Sequence, residues 1–496
     1  MPDDGQGLVT VIELAVAQLR FAGSMLFGLP FHGPSLERLI GAIQDTQREF
    51  GRVGSGYGEL MGEPALDEAA RRDVQWRRFR AQAVRAARET AYYREMFVHL
   101  GLDPTHLRPE DISALPTTPK EALRDHPDAF VRPAARPCLQ ATTTGTTGRP
   151  TSVCFSEYEL RTMVALATMA LLARQEVGPE DIVLVSTSSR GTLGTLSFAG
   201  ACVRVGALVN VVAVAEPAHT LALLAEPRQV AGKKPRVSAL SAYPSYLGEL
   251  TQRGLEMGYR PEDFGLERIL VGGEIVTAGL KARCQRLFGP VSFVEGYAMS
   301  ETFPCGGQLC PDGHLHFEVS QGLVEVQAIG ASAPALPGAP GTLLATPFLP
   351  YRETTMLLRY DTQDVVRALP TPPTCNLASL PATSNVLGKL RLSLQHDGGW
   401  TFPRQVLEAL EATAEVPLPA RWGYRSVPGG VAVEVVTPAD TPAVRAAIGE
   451  RLEEEGVPLR ELELVGDRNC LRHPFPLRGD IREAAFGPPS SAEVTR

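Results

Sequence analysis

The sequence predicts an α/β protein with a large N-terminal α/β domain on parallel sheets, a β subdomain and a small C-terminal α+β domain. Five short apolar runs alternate with helical stretches between residues 181 and 302, a pattern typical of parallel strands joined by helical crossovers. Two proline-rich stretches follow, and then helix and strand patterns alternate over ~100 residues, about one small domain. The fold prediction depends on these three observations.

Four segments follow from the order of these patterns along the 496 residues. Apolar residues recur at helical spacing over 65–100 and end at Gly101, as helices often do. Pro119 predicts the start of a short helix, because proline is favoured at helix starts. We expect a helical extension over 1–64, a large domain over 65–387, a small domain over 388–487 and a disordered tail over 488–496.

The composition favours a globular enzyme over a nucleic-acid binder. Hydrophobic residues make up 44% of the chain and charged residues 21%, and the net charge is −8. No basic patch for nucleic acid is visible. Eight scattered cysteines fit reduced thiols in the cytoplasm. Glu13, Gln18 and Arg20 interrupt the apolar N-terminal stretch, so we expect a packed helix there and no membrane span.

The loop "ATTTGTTGRPT", residues 141–151, consists mainly of glycine and threonine. Glycines allow successive backbone N–H groups to turn toward one anion, and threonine hydroxyls add donors. A phosphate is the natural ligand of such a loop. A flexible surface loop is the alternative, since the glycine, lysine and serine spacing of a Walker loop is absent.

Further motifs follow this loop in a fixed order. They are "SAYPSYLGEL", "LVGGEIV", "EGYAMSET", "LRYDTQDVVR" and "LGKLRLSLQHDGGWTFPRQVLE". This order resembles the adenylate-forming superfamily, which includes acyl-CoA synthetases and luciferases, and is most similar to phenylacetate-CoA ligases. The resemblance covers roughly residues 70–485. It implies that ATP and a substrate oxyanion form an adenylate with release of pyrophosphate, and that the small domain is mobile.

The resemblance also implies where the ATP phosphates and Mg²⁺ bind. Glu301 matches the carboxylate of the family that holds Mg²⁺, a hard cation that prefers oxygen ligands, with Ser300 and Thr302 beside it. Dispersed donors and one cation suit pyrophosphate. The residues expected to contact it are Thr143, Thr144, Gly145, Thr146, Thr147, Gly148 and Arg149.

A second set of residues matches the nucleoside site of the family. Asp364 matches the carboxylate that accepts hydrogen bonds from the ribose hydroxyls, and Arg367 the basic residue near the nucleotide. Glycines at a strand end allow an adenine ring to approach the backbone, and an aromatic ring packs on it. These residues are Gly272, Gly273, Glu274 and Tyr297; strand-end turn glycines and a core tyrosine are the alternative.

The acyl pocket is predicted around Tyr243, Ser245 and Tyr246. They lie in the stretch that resembles the pocket wall of the subfamily, and an aromatic wall favours a flat, aromatic substrate. A packed helix start explains the same residues.

A zinc site is a further hypothesis. Cys310 and His316 align with residues near the hinge of related proteins that hold structural zinc, and Cys375 keeps one downstream cysteine. Cys305 is expected to complete the tetrahedral set. Ordinary buried thiols are the alternative, because the spacing matches no standard zinc pattern.

Two departures from the family leave the substrate and acceptor open. Asp480 stands where a lysine normally bridges the substrate carboxylate and the α-phosphate, and Arg391 stands at the acidic hinge position. The main hypothesis is ATP-dependent activation of an aryl carboxylate as acyl-AMP, with CoA as acceptor left open. Activation of nitrite for diazotisation of an arylamine in secondary metabolism and a non-catalytic nucleotide-binding role are the alternatives. A homodimer is left open too.

Overall fold

The structure is a computed structural model that describes residues 4–51, 68–143, 150–187 and 192–478. The residues Thr144 to Arg149 of the glycine and threonine loop, Asp480 and the expected tail lie outside the described residues. The predicted α/β fold class is confirmed, whereas the domain boundaries stay a prediction.

The helices agree closely with the predicted pattern. The described ranges contain α1 (Asp4–Phe27), α2 (Gly33–Phe50), α3 (Glu68–Glu89), α4 (Ala91–Leu100), α5 (Lys120–Asp125), α6 (Glu157–Arg174), α7 (Thr192–Val205), α8 (Pro217–Ala225), α9 (Pro244–Glu256), α10 (Ala278–Phe288), α11 (Pro403–Ala412) and α12 (Pro442–Glu454). The apolar pattern over 65–100 forms two helices instead of one. Thr90 has an extended backbone and caps α4, and its hydroxyl donates to the carbonyl oxygen of Ala86 at 2.7 Å.

Nineteen strands lie in the described ranges. They are β1 (Pro137–Thr142), β2 (Ser152–Ser156), β3 (Ile182–Ser186), β4 (Leu208–Val212), β5 (Ala239–Ala242), β6 (Arg268–Gly272), β7 (Ser292–Tyr297), β8 (Gly307–Leu309), β9 (His314–Phe317), β10 (Gly322–Ala328), β11 (Pro340–Pro347), β12 (Tyr360–Arg367), β13 (Ala382–Ser384), β14 (Gly388–Lys389), β15 (Leu394–His396), β16 (Gly399–Thr401), β17 (Trp422–Val427), β18 (Gly430–Val436) and β19 (Leu459–Val465).

The largest sheet contains all five predicted apolar runs as parallel strands. Its order is β13, β9, β8, β7, β6, β5, β3 and β4, and β4, β3, β5, β6 and β7 pair in parallel. Both faces are covered, so Val183 and Leu184 in β3 are fully buried. The carboxyl ends of parallel strands meet at one edge of the sheet, where ligands bind in open α/β folds.

Two smaller sheets complete the fold. Strands β10, β11, β12 and β14 form a four-stranded sheet, and β17, β18 and β19 form a three-stranded sheet. Strand β14 ends at Lys389 and still pairs with Asp364 of β12. The residues that follow pack helices α11 and α12 around Trp422 and the three-stranded sheet. Arg391, which stands at the hinge position predicted from the family resemblance, therefore lies directly after the edge strand of the four-stranded sheet.

Helices α1 and α2 pack against the large domain. One stretch of the described chain, Thr10–Phe27, is long and apolar enough to cross a membrane, with mean hydropathy 1.3. Phe21 is buried in the same core as α6, and Glu13 pairs with Arg38 at 3.0 Å. The backbone N–H of Phe31 donates to the hydroxyl of Tyr158 at 2.9 Å. These contacts support the prediction of a packed helix.

The small domain contacts the large domain through α10 and α11. The hydroxyl of Thr277 donates to Oε2 of Glu411 at 2.5 Å, and Nη1 of Arg283 donates to the carbonyl oxygen of Val416 at 2.7 Å. Gly279 lies so close to the backbone of Glu411 that a Cβ atom there would overlap it. This contact holds the small domain over the carboxyl edge of the large sheet.

Candidate active site

A cavity of about 600 Å³ lies between the carboxyl edge of the large sheet and the small domain. Strands β3, β5, β6 and β7 contribute their last residues, and the chain after the hinge closes the opposite side. The lining brings together the predicted residues Thr143, Tyr243, Ser245, Gly272, Gly273, Glu274, Tyr297, Ser300, Glu301 and Asp364. Residues that span more than 200 positions of the chain therefore share one cavity.

Glu301 lies at the centre of a buried charge pair. It is 1% exposed, and its Oε1 accepts a hydrogen bond from Nζ of Lys120 at 2.8 Å and from the hydroxyl of Tyr360 at 3.3 Å. Burial would raise the pKa of the Glu301 carboxyl, but the Lys120 ammonium, together with a backbone N–H and Lys389, offsets burial and holds the pKa below its ordinary value. Glu301 is therefore an anion that faces the cavity.

Asp364 forms a second pair of the same type. Its Oδ2 accepts from Nζ of Lys389 at 2.8 Å and from the hydroxyl of Tyr297 at 2.8 Å. Burial lowers the pKa of the Lys389 ammonium, and the Asp364 carboxylate opposes this shift only in part. Burial, and then the nearby Asp364 carboxylate, raise the pKa of Tyr297 well above its ordinary value. The tyrosine hydroxyl therefore stays protonated and donates a hydrogen bond to the Asp364 carboxylate.

Gly272 at the end of β6 and Gly273 directly after it place Glu274 at the start of helix α9. Gly273 has φ +84°, a left-handed conformation that glycine adopts without strain. The carboxylate of Glu274 accepts from the backbone N–H of Ser245 at 2.9 Å and from its hydroxyl at 2.6 Å. The Glu274 carboxylate thus accepts hydrogen bonds from the protein itself and fixes the end of β6 to α9.

Three predicted residues lie away from the cavity lining, and the structure corrects these predictions. Tyr246 is fully buried in the core, where its hydroxyl donates to the carbonyl oxygen of Ala215 at 3.0 Å. Thr302 is fully buried. Arg367 places its guanidinium 5.8 Å from the ring centroid of Phe402 and lies outside the lining. None of these three side chains lines the cavity.

The predicted phosphate loop, residues 141–151, is described at its two ends only. Thr143 lines the cavity, and its hydroxyl accepts from the backbone N–H of Thr151 at 3.0 Å. Its predicted partners, Thr144, Gly145, Thr146, Thr147, Gly148 and Arg149, lie outside the described residues. Their role in pyrophosphate binding stays a prediction.

A candidate metal centre lies beside the cavity, and it corrects the predicted ligand set. The ligand atoms of Cys310, His314, His316 and Cys375 all lie within 4.8 Å of one another. Cys305 is outside this group, and its buried Sγ lies next to Gly322. His314 takes its place, since His314 and His316 are two residues apart in β9 and share one face of the strand.

Lys120, Lys389 and His314 were missed from the sequence. Lys120 stands in "TTPKEALRD" and Lys389 in "LGKLRL", both in stretches that resemble the family, yet neither motif by itself indicates a carboxylate partner. The sequence contained a signal for His314, because it lies two residues before His316 and alternate residues of a strand share a face. It contained no such signal for the two lysines, since their carboxylate partners come from other elements.

The fold and this cavity define the class of protein. A model of the AMP-binding enzyme family matches residues 81–336, just over half of the chain, and the chain belongs to that family. It is an ATP-dependent, adenylate-forming ligase, as the sequence predicted.

Named relatives agree with this class. The chain is 26% identical over 367 residues to the phenylacetate-coenzyme A ligase of Thermus thermophilus, covering 72% of this chain and 79% of the relative. Among solved structures, it is similar to 2-hydroxyisobutyryl-CoA ligase in the postadenylation state, with a TM-score of 0.65 and 19% identity over 82% of this chain and 88% of that chain. An open form of that ligase gives a TM-score of 0.58 at 18% identity, over 80% and 88% of the two chains.

Proposed function

We propose that this enzyme uses ATP and Mg²⁺ to convert an aryl carboxylate into acyl-AMP with release of pyrophosphate. The observation that carries the proposal is the pair of buried carboxylates, Glu301 and Asp364, each bound to a lysine across one cavity. One carboxylate suits a hard metal ion and the other suits the ribose hydroxyls. A protein that only bound a nucleotide would need no metal-binding carboxylate beside a substrate pocket.

The lysines that pair with Glu301 and Asp364 supply positive charge that can turn from these carboxylates to the nucleotide. Lys120, Arg124 and Arg391 line the same cavity, so the polyphosphate of ATP meets several cations there. Before ATP binds, Lys120 neutralises Glu301 at 2.8 Å, which offsets the cost of a buried carboxylate. When ATP binds, we expect the Lys120 ammonium to turn toward the phosphates and Glu301 to face the metal ion.

The donor set fits Mg²⁺. Glu301 offers a carboxylate oxygen, and Ser300 lies next to it in the lining. Bound there, Mg²⁺ supplies positive charge to the phosphates. The residues of the chain then position the substrate oxyanion and keep water away from the reacting atoms.

The acyl side of the cavity favours a flat, apolar substrate. Tyr243 is 7% exposed and forms one wall. Further apolar side chains line the same cavity: Leu193, Phe198, Leu270, Met299 and Leu315. Such a lining gains free energy by burying an aromatic ring.

We further propose a structural zinc ion at Cys310, His314, His316 and Cys375. Sγ of Cys375 lies 3.2 Å from Nε2 of His316, and Nδ1 of His314 is buried with no partner among the described residues. Two thiolates and two imidazoles form a tetrahedral set that suits zinc. The ion would fix the chain before β13 to the sheet edge. None of the eight cysteines, which all lie in the described residues, forms a disulfide, which supports a cytoplasmic location.

Pyrophosphate release tests the proposed reaction. Purified enzyme with ATP and Mg²⁺ is screened against aryl carboxylates with and without CoA, and against nitrite with arylamines. We expect release with an aryl carboxylate, and a CoA-dependent thioester product would identify the acceptor. If pyrophosphate is released only with nitrite and an arylamine, nitrite and not an aryl carboxylate is the activated substrate. Absence of release with every substrate would leave only nucleotide binding.

A matched pair of variants assigns the activity to the cavity. Glu301→Ala should slow pyrophosphate release by about 2 kcal/mol or more in activation free energy, because the metal-binding carboxylate is lost. Glu262→Ala removes an exposed carboxylate outside the cavity and should keep the wild-type rate. Wild-type turnover in Glu301→Ala would contradict the assignment of Glu301.

A further inference from the structure

The segment Phe475–Arg478 carries a cation from the small domain into the cavity. All four of its residues line the cavity. Phe475 stacks on Trp422 with ring centroids 4.6 Å apart, and its backbone N–H donates to the carbonyl oxygen of Trp422 at 2.8 Å. One end of the segment is therefore fixed in the small-domain core while the other reaches the large domain.

Arg478 is positioned by its backbone. Its N–H donates to Oε1 of Glu274 at 2.5 Å, so the Glu274 carboxylate connects α9, through Ser245, with the small domain. Since this carboxylate bonds to the peptide N–H of Arg478, it fixes the position of the residue while the side chain continues into the cavity.

The guanidinium of Arg478 lies between the two predicted binding regions. Its Cζ is 5.7 Å from the ring centroid of Tyr243 on the acyl side. On the nucleotide side, a Cβ atom added at Gly273 would lie 2.8 Å from its Nη1. Within the described part of the chain, no carboxylate forms an ion pair with this guanidinium. The cation therefore faces the junction at which an acyl carboxylate meets the nucleotide.

We infer that Arg478 is the cation that holds the substrate carboxylate against the α-phosphate during adenylation. This inference rests on the proposed function, and it assigns to Arg478 the bridging task for which this chain has Asp480 in place of the usual lysine. A carboxylate oxygen attacks the α-phosphorus, a new P–O bond forms, and the bond to pyrophosphate breaks with its electrons leaving on pyrophosphate. No proton is transferred. A guanidinium donates to both anions at once through its fork, which lowers the repulsion between them.

The test compares Arg478→Ala and Arg478→Lys with Arg451→Ala, which removes an exposed arginine of α12 that pairs with Glu454 in the same helix. Carboxylate-dependent exchange of labelled pyrophosphate into ATP measures adenylation alone. We expect Arg478→Ala to lower kcat about 100-fold with little change in KM for ATP, Arg478→Lys to recover part of it, and Arg451→Ala to match wild type. Consumption of synthetic acyl-AMP by the acceptor, in the absence of pyrophosphate, should be unchanged, because the bridge acts in the step that forms acyl-AMP.

The outcomes separate this inference from the function on which it rests. Wild-type exchange in Arg478→Ala would overturn the bridging role and leave the proposed function intact. Equal losses of exchange and of acyl-AMP consumption, with a lower unfolding temperature, would also overturn it, because they indicate a structural role. If wild type itself exchanges no pyrophosphate with any carboxylate, the proposed function fails, and the inference fails with it.

Discussion

The ammonium of Lys120 lies 2.8 Å from Oε1 of Glu301, although 181 positions separate the two residues in the chain. Lys120 begins a short helix of the segment before the phosphate loop, and Glu301 follows the last parallel strand of the large sheet. The pair thus connects the N-terminal part of the large domain with the carboxylate that we propose binds Mg²⁺.

Removing the Lys120 ammonium should destabilise the fold. Lys120→Met leaves the Glu301 carboxylate buried without its cation, and we expect a loss of about 3 kcal/mol in the free energy of unfolding. Chemical denaturation measures the loss. Because Lys120 holds the folded-state pKa of Glu301 below its ordinary value, the contribution of the pair is present above about pH 4.3. It is lost as the pH falls through the lower folded-state pKa.

The double variant Lys120→Met/Glu301→Gln is the control for this pair. It removes both charges, so it should recover much of the lost stability although it stays inactive. Additive losses in the two single variants would contradict a direct interaction.

Asp364→Asn should weaken ATP binding specifically. The amide keeps the shape of the side chain but loses one acceptor for the ribose hydroxyls and the charge that holds Lys389. We expect KM for ATP to rise about ten-fold or more, roughly 1.4 kcal/mol, with a smaller change in KM for the carboxylate. Asp397→Asn makes the same change in an exposed hairpin turn and should change neither constant.

Glu411 should make the domain contact sensitive to pH. Burial raises the pKa of its carboxyl to about 7, while the Thr277 hydroxyl opposes the shift; Glu408 raises the pKa further and Arg283 lowers it. The folded state therefore binds the proton more tightly than the unfolded state, so stability is present below the unfolded pKa and falls as the pH rises through about 7.

A pair of glutamine variants tests this pH dependence. Unfolding temperatures should fall in wild type as the pH rises from about 4.5 to about 7 and stay flatter in Glu411→Gln, which cannot ionise. Glu454→Gln, on the exposed face of α12, should keep the wild-type slope. An identical slope in all three proteins would contradict the assignment to Glu411.

The proposed zinc centre predicts a metal content and a stability effect. Elemental analysis should find about one equivalent of zinc, and a chelator should lower the unfolding temperature. Cys375→Ser should lose the metal because one thiolate ligand is gone, whereas Cys470→Ser, at an exposed cysteine, should keep it. Less than about half an equivalent in wild type would count against the site.

Gly279→Ala should disturb the contact between α10 and α11. A methyl group at this position would overlap the backbone of Glu411, so one helix must move and the small domain must shift from the cavity. We expect a lower unfolding temperature and faster proteolysis after the hinge. Gly41→Ala introduces a methyl group into open space on α2 and should lack both effects.

Local patterns predicted the fold class and the two carboxylates. The five apolar runs became parallel strands because strands covered on both faces require continuous apolar residues. Glu301 and Asp364 were found because the order of the motifs resembles a known family. Both signals lie within a few consecutive residues, so the sequence alone contained them.

Errors arose where packing decided the direction of a side chain. Tyr243 and Tyr246 are three residues apart, but Tyr243 precedes helix α9 and faces the cavity, whereas Tyr246 lies in its first turn and packs into the core. Cys305 was chosen by its type alone, and the strand that brings His314 and His316 to one face excluded it.

The sequence by itself determined the α/β fold, the order of the motifs and the class of ligase, because apolar periodicity and short motifs are local properties of the chain. Only the tertiary structure decided which charges meet. Lys389 reaches Asp364 through a two-residue strand at the hinge, and Arg478 reaches Gly273, directly after β6, across the domain contact. Such pairs depend on how separate elements pack, and distance along the chain carries no information about that packing.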